Sequence, residues 1–337
     1  MDIKKILIVV KHHDDSLPPR ASELVAWLLA QPESFTVYVE DMLRSTESFN
    51  AEGLIRDLKD GDKRIKYWTK DFCIETAQSI DLVITLGGDG TVLFASCMFQ
   101  HVVPPVVSFA LGSFGFMTRH DFSEHRTILR KMFSEGFSVC LRARFAGRVM
   151  RSIPNDMPVE GRNLEAEMLK PNPNVATHEL VEEFTALNEI VVDRGKNSTV
   201  SLTDIYTLDQ RVASVMADGL IISTPTGSTA YNLAAGGSLC HPDMSAILIT
   251  PICPHSLTLR PIMLPDSMVI RLGLPYHART TSSASFDGRQ TVELQRGDYV
   301  QVSVSRFPFA VVQSDGGCDK DWFESIGRDF GWGIRKV

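Results

Sequence analysis

The chain has 337 residues, 44% of them apolar and 22% charged, enough for two domains with separate cores. A formal net charge of −7 argues against broad binding to nucleic acid or an anionic membrane, and leaves room only for a local basic pocket that holds phosphates. The six cysteines (Cys73, Cys97, Cys140, Cys240, Cys253 and Cys318) are scattered without a CxxC pair, the pattern of free thiols in a reducing compartment rather than of a disulfide framework or zinc site.

Taken in order, the first third alternates strand and helix signals. The β-branched run Ile6–Val10 is a strand that begins too early to follow a presequence, so a cytoplasmic chain is expected. Leu24, Trp27 and Leu28 have helical spacing within Ala21–Gln31, and Phe35–Val39 is strand-like again. A polar, charged stretch follows through Lys66. Asp81–Leu86 then reads as a buried strand running straight into a glycine-rich turn, with a helix over Thr91–Phe99 and a strand over Pro105–Phe109. Val102–Met117 is the least charged stretch, but Pro104, Pro105, Gly112 and Gly115 break it, which excludes a membrane span. Strands alternating with helices imply a parallel sheet, hence a doubly wound, Rossmann-like α/β domain over residues 1–136.

From Phe137 the pattern changes to β. Phe137–Val149, Phe184–Val192, Thr199–Leu208, Met268–Leu272 and Tyr299–Val304 are strand-like, and turn signals such as Asp287-Gly288 separate runs. These residues predict a mostly β second domain, of sandwich type, over 137–317. Residues 153–178 hold four prolines and little periodicity, and read as a loop insertion. Ser228–Ala235 reads as a helix opening on a polar turn. Asp321–Phe330 reads as a tail helix that packs back on the first domain, so that residues 318–337 complete it.

Two constellations carry chemistry. The first is Leu86-Gly-Gly-Asp-Gly-Thr91, at the junction of a strand and a helix. Glycines let a backbone approach phosphate oxygens, and the helix that follows offers unpaired N–H groups and the positive end of its dipole. The carboxylate of Asp89 repels phosphate, so its role is another: to accept a hydroxyl proton, to hold a metal ion that bridges to phosphate, or simply to cap the helix. A Walker A sequence is absent, as are the glycine loop and HRD sequence of protein kinases. The turn resembles one shared by diacylglycerol and sphingosine kinases, phosphofructokinases and NAD kinases.

The second constellation runs from Asp218 to Tyr231, Asp-Gly-Leu-Ile-Ile-Ser-Thr-Pro-Thr-Gly-Ser-Thr-Ala-Tyr. A buried strand enters a turn rich in hydroxyls and N–H groups, with Tyr231 available to stack on a base; a capping turn is the plainer alternative. This run resembles the DGxxxSTPTGSTAY sequence of NAD kinases. Further blocks follow the family's order: Leu111–Thr118, Asn188-Glu189 with Arg194, His241-Pro242, Ile249–Ser256, Arg260-Pro261 and Ser285–Arg289. The forms ITPICPHS and SFDGR, with the ending Asp321–Ser325, are similar to the eukaryotic branch.

That resemblance implies a kinase that moves the γ-phosphoryl group of ATP to the adenosine 2′-hydroxyl of NAD or NADH. Asp89 would take the hydroxyl proton. Gly88, Gly90 and Thr91 would line the phosphates, and Phe116 would lie beside the dinucleotide. Asn188 and Glu189 would bind ribose and polar edges, and Thr229, Ala230 and Tyr231 the adenine side. Asp218, Asp287 and Gly288 would complete the pocket. The plainer readings are a core Phe116, a solvated Glu189 and a hairpin turn at Asp287-Gly288. The only metal implied is Mg²⁺ arriving with ATP. A homo-oligomer, dimer or tetramer, is implied, with no nucleic-acid or membrane partner. The chain departs from the family pattern at Ala217, Met117 and Phe114 and in the insertion 153–178; none of these removes a proposed catalytic group. A lipid or sphingoid kinase sharing the glycine turn, and a non-catalytic dinucleotide sensor, are the alternatives.

Overall fold

The computed structural model describes residues 3–11, 14–56, 61–112, 114–154, 161–170, 174–313 and 317–333. The chain divides into two compact units, Met1–Leu141 with Phe307–Val337, and Arg142–Arg306. In chain order the first unit opens with β1 (Lys5–Val10), α1 (Leu17–Leu29), β2 (Thr36–Glu40), α2 (Ala51–Ile55), α3 (Gly61–Arg64) and β3 (Ile65–Trp68). It continues with α4 (Lys70–Thr76), β4 (Leu82–Leu86), α5 (Asp89–Met98), β5 (Val106–Ala110), β6 (His120–Asp121), α6 (His125–Glu135) and β7 (Val139–Arg142). All five residues of β4 and of β5 are buried, as expected of central parallel strands covered on both faces. Helix α1 begins with prolines at its first positions, where no N–H is needed, and buries Leu17, Ala21, Leu24, Val25, Leu28 and Leu29 at helical spacing.

The second unit contains β8 (Phe145–Ser152), α7 (Leu164–Leu169), β9 (His178–Ala186), β10 (Glu189–Asp193), β11 (Ser201–Tyr206), β12 (Arg211–Ala217) and β13 (Gly219–Ser223). After these come α8 (Tyr231–Ala234), β14 (Ala246–Ile252), β15 (Ile262–Pro265), β16 (Ile270–Gly273), β17 (Ser282–Phe286), β18 (Gln290–Leu294) and β19 (Tyr299–Val304). They form two six-stranded sheets, ordered β15-β14-β13-β10-β17-β18 and β12-β11-β16-β19-β8-β9. Side chains from both sheets share one core, among them Phe145, Ile190, Ile222, Leu272, Phe286 and Val302, which makes the unit a sandwich.

The chain then returns to the first unit through β20 (Phe309–Val312) and ends in α9 (Gly317–Phe330). The first sheet runs β3-β2-β1-β4-β5-β20-β7, with β6 also paired to β5. The pairs β1–β2, β2–β3, β1–β4, β4–β5 and β5–β20 are all parallel. The chain order reverses between β1 and β4, so the glycine turn after β4 lies at the carboxyl edge of a topological switch point, where open α/β sheets bind ligands.

Several elements differ from the sequence expectation for tertiary reasons. Within the charged stretch before Lys66, β3 forms because Ile65 and Trp68 are buried and the Trp68 indole donates to the Ile8 carbonyl at 3.0 Å. The expected strand 137–149 breaks after Arg142, leaving β7 in one unit's sheet and β8 in the other's. Part of the expected loop 153–178 is helix α7, capped by the Asn163 side chain and anchored by Leu164 and Met168 against Tyr206 and Tyr276. Residues 155–160 and 171–173 of that stretch lie outside the described residues. The expected helix 228–235 is a 3-10 turn, Thr226–Thr229, followed by the single turn of α8. Among the described residues no disulfide joins Cys73, Cys97, Cys140, Cys240 or Cys253. Among the described residues no helix is long and apolar enough to cross a membrane.

Candidate functional site

In the first unit Gly87 takes a φ of +150°, Gly88 caps α5, and Asp89 is the first helical residue. An added Cβ at Gly88 or Gly90 would meet nothing within 4 Å, so the side-chain position of each is open at a helix N-terminus. Thr91 lies deeper: it is 4% exposed, and its hydroxyl has no partner among the described residues. The half-buried Asp89 carboxylate is occupied by the Leu111–Thr118 loop. Oδ2 accepts from the Phe116 N–H at 2.8 Å. Oδ1 accepts from the Met117 N–H at 3.0 Å, the Thr118 N–H at 3.1 Å and the Thr118 hydroxyl at 2.8 Å. Gly115 makes this approach possible, since a Cβ there would lie 2.1 Å from Asp89 Oδ1. Oδ1 is saturated with donors, whereas Oδ2 has one donor and keeps a lone pair.

In the second unit Asn188 and Glu189 open β10, and their backbone is set by Asp287. The N–H groups of Leu187, Asn188 and Glu189 donate to the Asp287 carboxylate at 2.7, 2.8 and 3.1 Å. Asp287 sits at a φ of 49° in the hairpin turn between β17 and β18, and Gly288 follows at 64°. Burial pushes the Asp287 carboxyl up, and the three N–H donors and the Arg144 guanidinium draw it back. Burial likewise lowers Arg144, a fully buried side chain, to about 10, opposed by the Asp287 charge. Asp287 therefore faces inward and shapes the strand that carries Asn188 and Glu189.

The turn between β13 and α8 packs onto the same strand. Thr224 donates its hydroxyl to the Leu187 carbonyl at 2.6 Å and its N–H to the Asn188 carbonyl at 2.9 Å. Gly227 fits only without a side chain, because a Cβ would lie 2.2 Å from the Asn188 carbonyl oxygen. Three buried acceptors or hydroxyls are left without partners among the described residues: Asn188 Oδ1, Glu189 Oε2 and Thr226 Oγ1. Burial pushes the Glu189 carboxyl up to about 8, with the Asp287 charge adding and a hydrogen bond from the Tyr231 N–H opposing. Tyr231 is 45% exposed, with its phenol raised by burial and by the charges of Asp193, Cys253, Asp218 and Glu189. Thr229 and Ala230 precede it, and the Thr229 hydroxyl donates to the Thr226 carbonyl at 3.3 Å. Asp218 pairs with Arg194 at 3.1 Å, both half-exposed.

The structure thus gathers the expected residues into two groups, one in each unit: Gly88–Thr91 with Phe116, and Asn188, Glu189, Asp218 and Thr229–Tyr231 over an Asp287 support. Residues 6–137 match the model of the ATP-NAD kinase N-terminal domain, and residues 187–314 match that of the C-terminal domain. The chain belongs to the ATP-NAD kinase family. It is 42% identical over 331 residues to an uncharacterized kinase of Schizosaccharomyces pombe, covering 98% of this chain and 80% of that protein. It is 40% identical over 337 residues to the NAD(+) kinase of Saccharomyces cerevisiae, covering 100% of this chain but 61% of that protein. The crystal structure of yeast NADH kinase complexed with NADH superposes with a TM-score of 0.77 at 29% identity, over 99% of this chain and 89% of that one.

Three residues that hold the candidate site together escaped the sequence reading. Thr118 holds Asp89 by two hydrogen bonds, and its presence within the Leu111–Thr118 block was the available signal. Arg194, also inside a recognised block, closes on Asp218. Arg144 carried no signal, since an arginine between Ala143 and Phe145 reads as a surface residue.

Proposed function

We propose that this chain is an NAD kinase that transfers the γ-phosphoryl group of Mg-ATP to the 2′-hydroxyl of the adenosine ribose of NAD or NADH. The observation that carries the reading is the set of buried, unpartnered atoms Asn188 Oδ1, Glu189 Oε2 and Thr226 Oγ1 on one strand and its adjoining turn. Buried acceptors without donors are costly, and the hydroxyl and amino donors of a nucleoside relieve that cost. Tyr231, half-exposed next to them, offers a ring for the adenine, with Thr229 and Ala230 on the same turn.

Gly88 and Gly90 accept the triphosphate in the space their missing side chains leave open, with Thr91 beneath it. Mg²⁺ enters as part of the substrate and neutralises phosphate charge. The ribose hydroxyl donates to the free lone pair of Asp89 Oδ2, and its proton passes to that oxygen as the hydroxyl oxygen bonds to the γ-phosphorus. The bond from that phosphorus to the β-γ bridging oxygen breaks, and ADP leaves with the electron pair. Positioning and charge neutralisation supply most of such a barrier reduction. On this reading Phe116 and Asp218 are further contacts of the dinucleotide. The cytoplasm suits cysteines that form no disulfide among the described residues, and assembly into a homo-oligomer is part of the same reading.

Steady-state assays with NAD and NADH, each with ATP or polyphosphate, test it, with sphingosine and diacylglycerol as competing acceptors. The expected result is a phosphorylated dinucleotide made at the expense of ATP. Dinucleotide binding without ATP consumption would mark a sensor instead, and labelled lipid would mark the other kinase class.

A further inference from the structure

The loop that holds Asp89 is gripped from two directions within the first unit. On one side the Asp89 carboxylate accepts from three consecutive N–H groups, those of Phe116, Met117 and Thr118. On the other lies the tail helix α9. The Phe330 ring stacks on Phe116, with centroids 5.2 Å apart and planes 29° from parallel. The Arg328 guanidinium lies over the Phe114 ring, 5.2 Å from its centroid. The Arg119 guanidinium donates to the Asp321 carbonyl and to the Ser325 hydroxyl. The residues on either side of Gly115, and the one that follows Thr118, are therefore each tied to α9.

α9 is a docked element, with Trp322, Ser325 and Ile326 forming its buried face. Arg328 and Phe330 lie outside that face, at side-chain exposure of 41% for Arg328 and residue exposure of 41% for Phe330. Neither contributes much to the core. Both nevertheless touch the loop through directional contacts. Arg328 is braced for this by its hydrogen bonds to Asp329 at 2.6 and 3.0 Å and to the Ser325 hydroxyl at 3.1 Å. The hydrogen bond to Asp329 and, to a smaller extent, the Asp89 charge favour the protonated Arg328 guanidinium.

We propose that Phe330 and Arg328 are positioning residues for phosphoryl transfer: they fix the Phe114–Thr118 loop, and through its N–H groups they fix the orientation of the Asp89 carboxylate. The proposal rests on the reading of Asp89 as the proton acceptor. Neither tail residue needs to touch a substrate. Each acts by restricting which way Oδ2 points, and a misdirected lone pair lowers turnover without weakening substrate binding.

The test compares Phe330→Ala, Phe330→Tyr and Asp89→Asn in steady-state kinetics and in hydrogen exchange at the amides of residues 116–118, using the full chain. A stacked aromatic pair is worth about five- to tenfold in the population of the ordered loop. Phe330→Ala is expected to lower kcat by about that factor at nearly constant KM for ATP and dinucleotide, and to speed exchange at those amides. Phe330→Tyr is expected to restore both. Unchanged kcat in Phe330→Ala overturns the proposal, as does a loss of kcat with no change in exchange, or a loss that Phe330→Tyr leaves in place. Should Phe330→Ala not fold, Arg328→Ala carries the same comparison with Arg328→Lys as its conservative partner. Near-normal turnover in Asp89→Asn sinks the proton-acceptor reading and the proposal with it. An inactive Asp89→Asn beside a fully active Phe330→Ala sinks the proposal alone.

Discussion

The hydroxyl of Thr118 donates to Asp89 Oδ1 at 2.8 Å, and the Thr118 N–H reaches the same oxygen at 3.1 Å. One residue thus supplies two of the three donors that saturate Oδ1, which leaves the carboxylate's remaining lone pair on Oδ2. Thr118→Val removes the hydroxyl and keeps the shape. A hydrogen bond to a charged acceptor is worth about 1.5–3 kcal/mol, and this half-buried one belongs near the lower end. Urea unfolding of the first unit is expected to show that loss, kcat is expected to fall, and Thr118→Ser is expected to recover both. Full activity in Thr118→Val would show that Oδ1 needs no anchoring.

The glycines around Asp89 separate into two kinds with opposite expected phenotypes. At Gly115 a Cβ would lie 2.1 Å from Asp89 Oδ1, so Gly115→Ala must displace the carboxylate or the loop. At Gly90, a helical position, a Cβ meets nothing within 4 Å, and alanine is the better helix former by about 1 kcal/mol. Gly90→Ala is therefore expected to fold at least as stably as the parent and to raise the KM for ATP by about tenfold through the methyl group placed on the phosphate face. Gly115→Ala is expected to lower stability and kcat together. An unchanged KM for ATP in a well-folded Gly90→Ala would remove the triphosphate from that face.

What the sequence made legible follows from how local each signal is. β4 and the glycine turn were readable because an apolar run, three glycines and a helix start are contiguous. The Asp218–Tyr231 run and Asn188-Glu189 were readable as motifs, since each occupies adjacent positions. The inward turn of Asp287 was not readable, because its three donors come from residues about 100 positions away. Arg144 was hidden for the same reason: nothing near it announces full burial. Likewise β3 forms on Trp68 reaching the Ile8 carbonyl, and α7 on Met168 reaching Tyr206 and Tyr276, contacts with no local imprint.

The Asp287–Arg144 pair gives a stability prediction. Asp287→Ala leaves three N–H groups of residues 187–189 without their acceptor and the Arg144 charge without its neighbour. A buried N–H left without its acceptor costs about 1–3 kcal/mol, and three lose theirs at once, so the variant is expected to be poorly folded at 37 °C. Asp287→Asn keeps an acceptor but not the charge and is expected to be intermediate. Adding Arg144→Met to Asp287→Ala removes a buried charge that the Asp287 carboxylate favoured, and the double variant is expected to regain part of the loss. A double-mutant cycle by urea unfolding measures the coupling; additive losses would mean the two charges do not support one another.

Glu189 gives a pH dependence whose sign is fixed by the direction of its shift. Its carboxyl is raised from 4.5 to about 8 in the folded chain, mainly by burial. Below pH 4.5 both folded and unfolded forms hold the proton, and the contribution to stability is fully present. As pH rises toward 8 the unfolded chain releases its proton while the folded chain retains it, so stability from this group declines and levels off above the folded value. Glu40 is raised to about 7 by burial and declines over an overlapping range, so the difference between variants isolates Glu189. Glu189→Gln mimics the protonated form and is expected to match the parent below pH 4.5. At pH 8.5 it is expected to exceed the parent by on the order of 2 kcal/mol, after discounting for a carboxyl that water still reaches. If Glu189 binds the dinucleotide as proposed, the liganded enzyme reverses the preference. Hydroxyl donors from the dinucleotide favour the ionised carboxylate at Oε2, so parent affinity for NAD is expected to rise between pH 7 and pH 9. Glu189→Gln is expected to bind more weakly and without that slope. Titration calorimetry at both pH values decides the matter, since a parent whose affinity is flat or falls with pH would place the bound Glu189 in its protonated form.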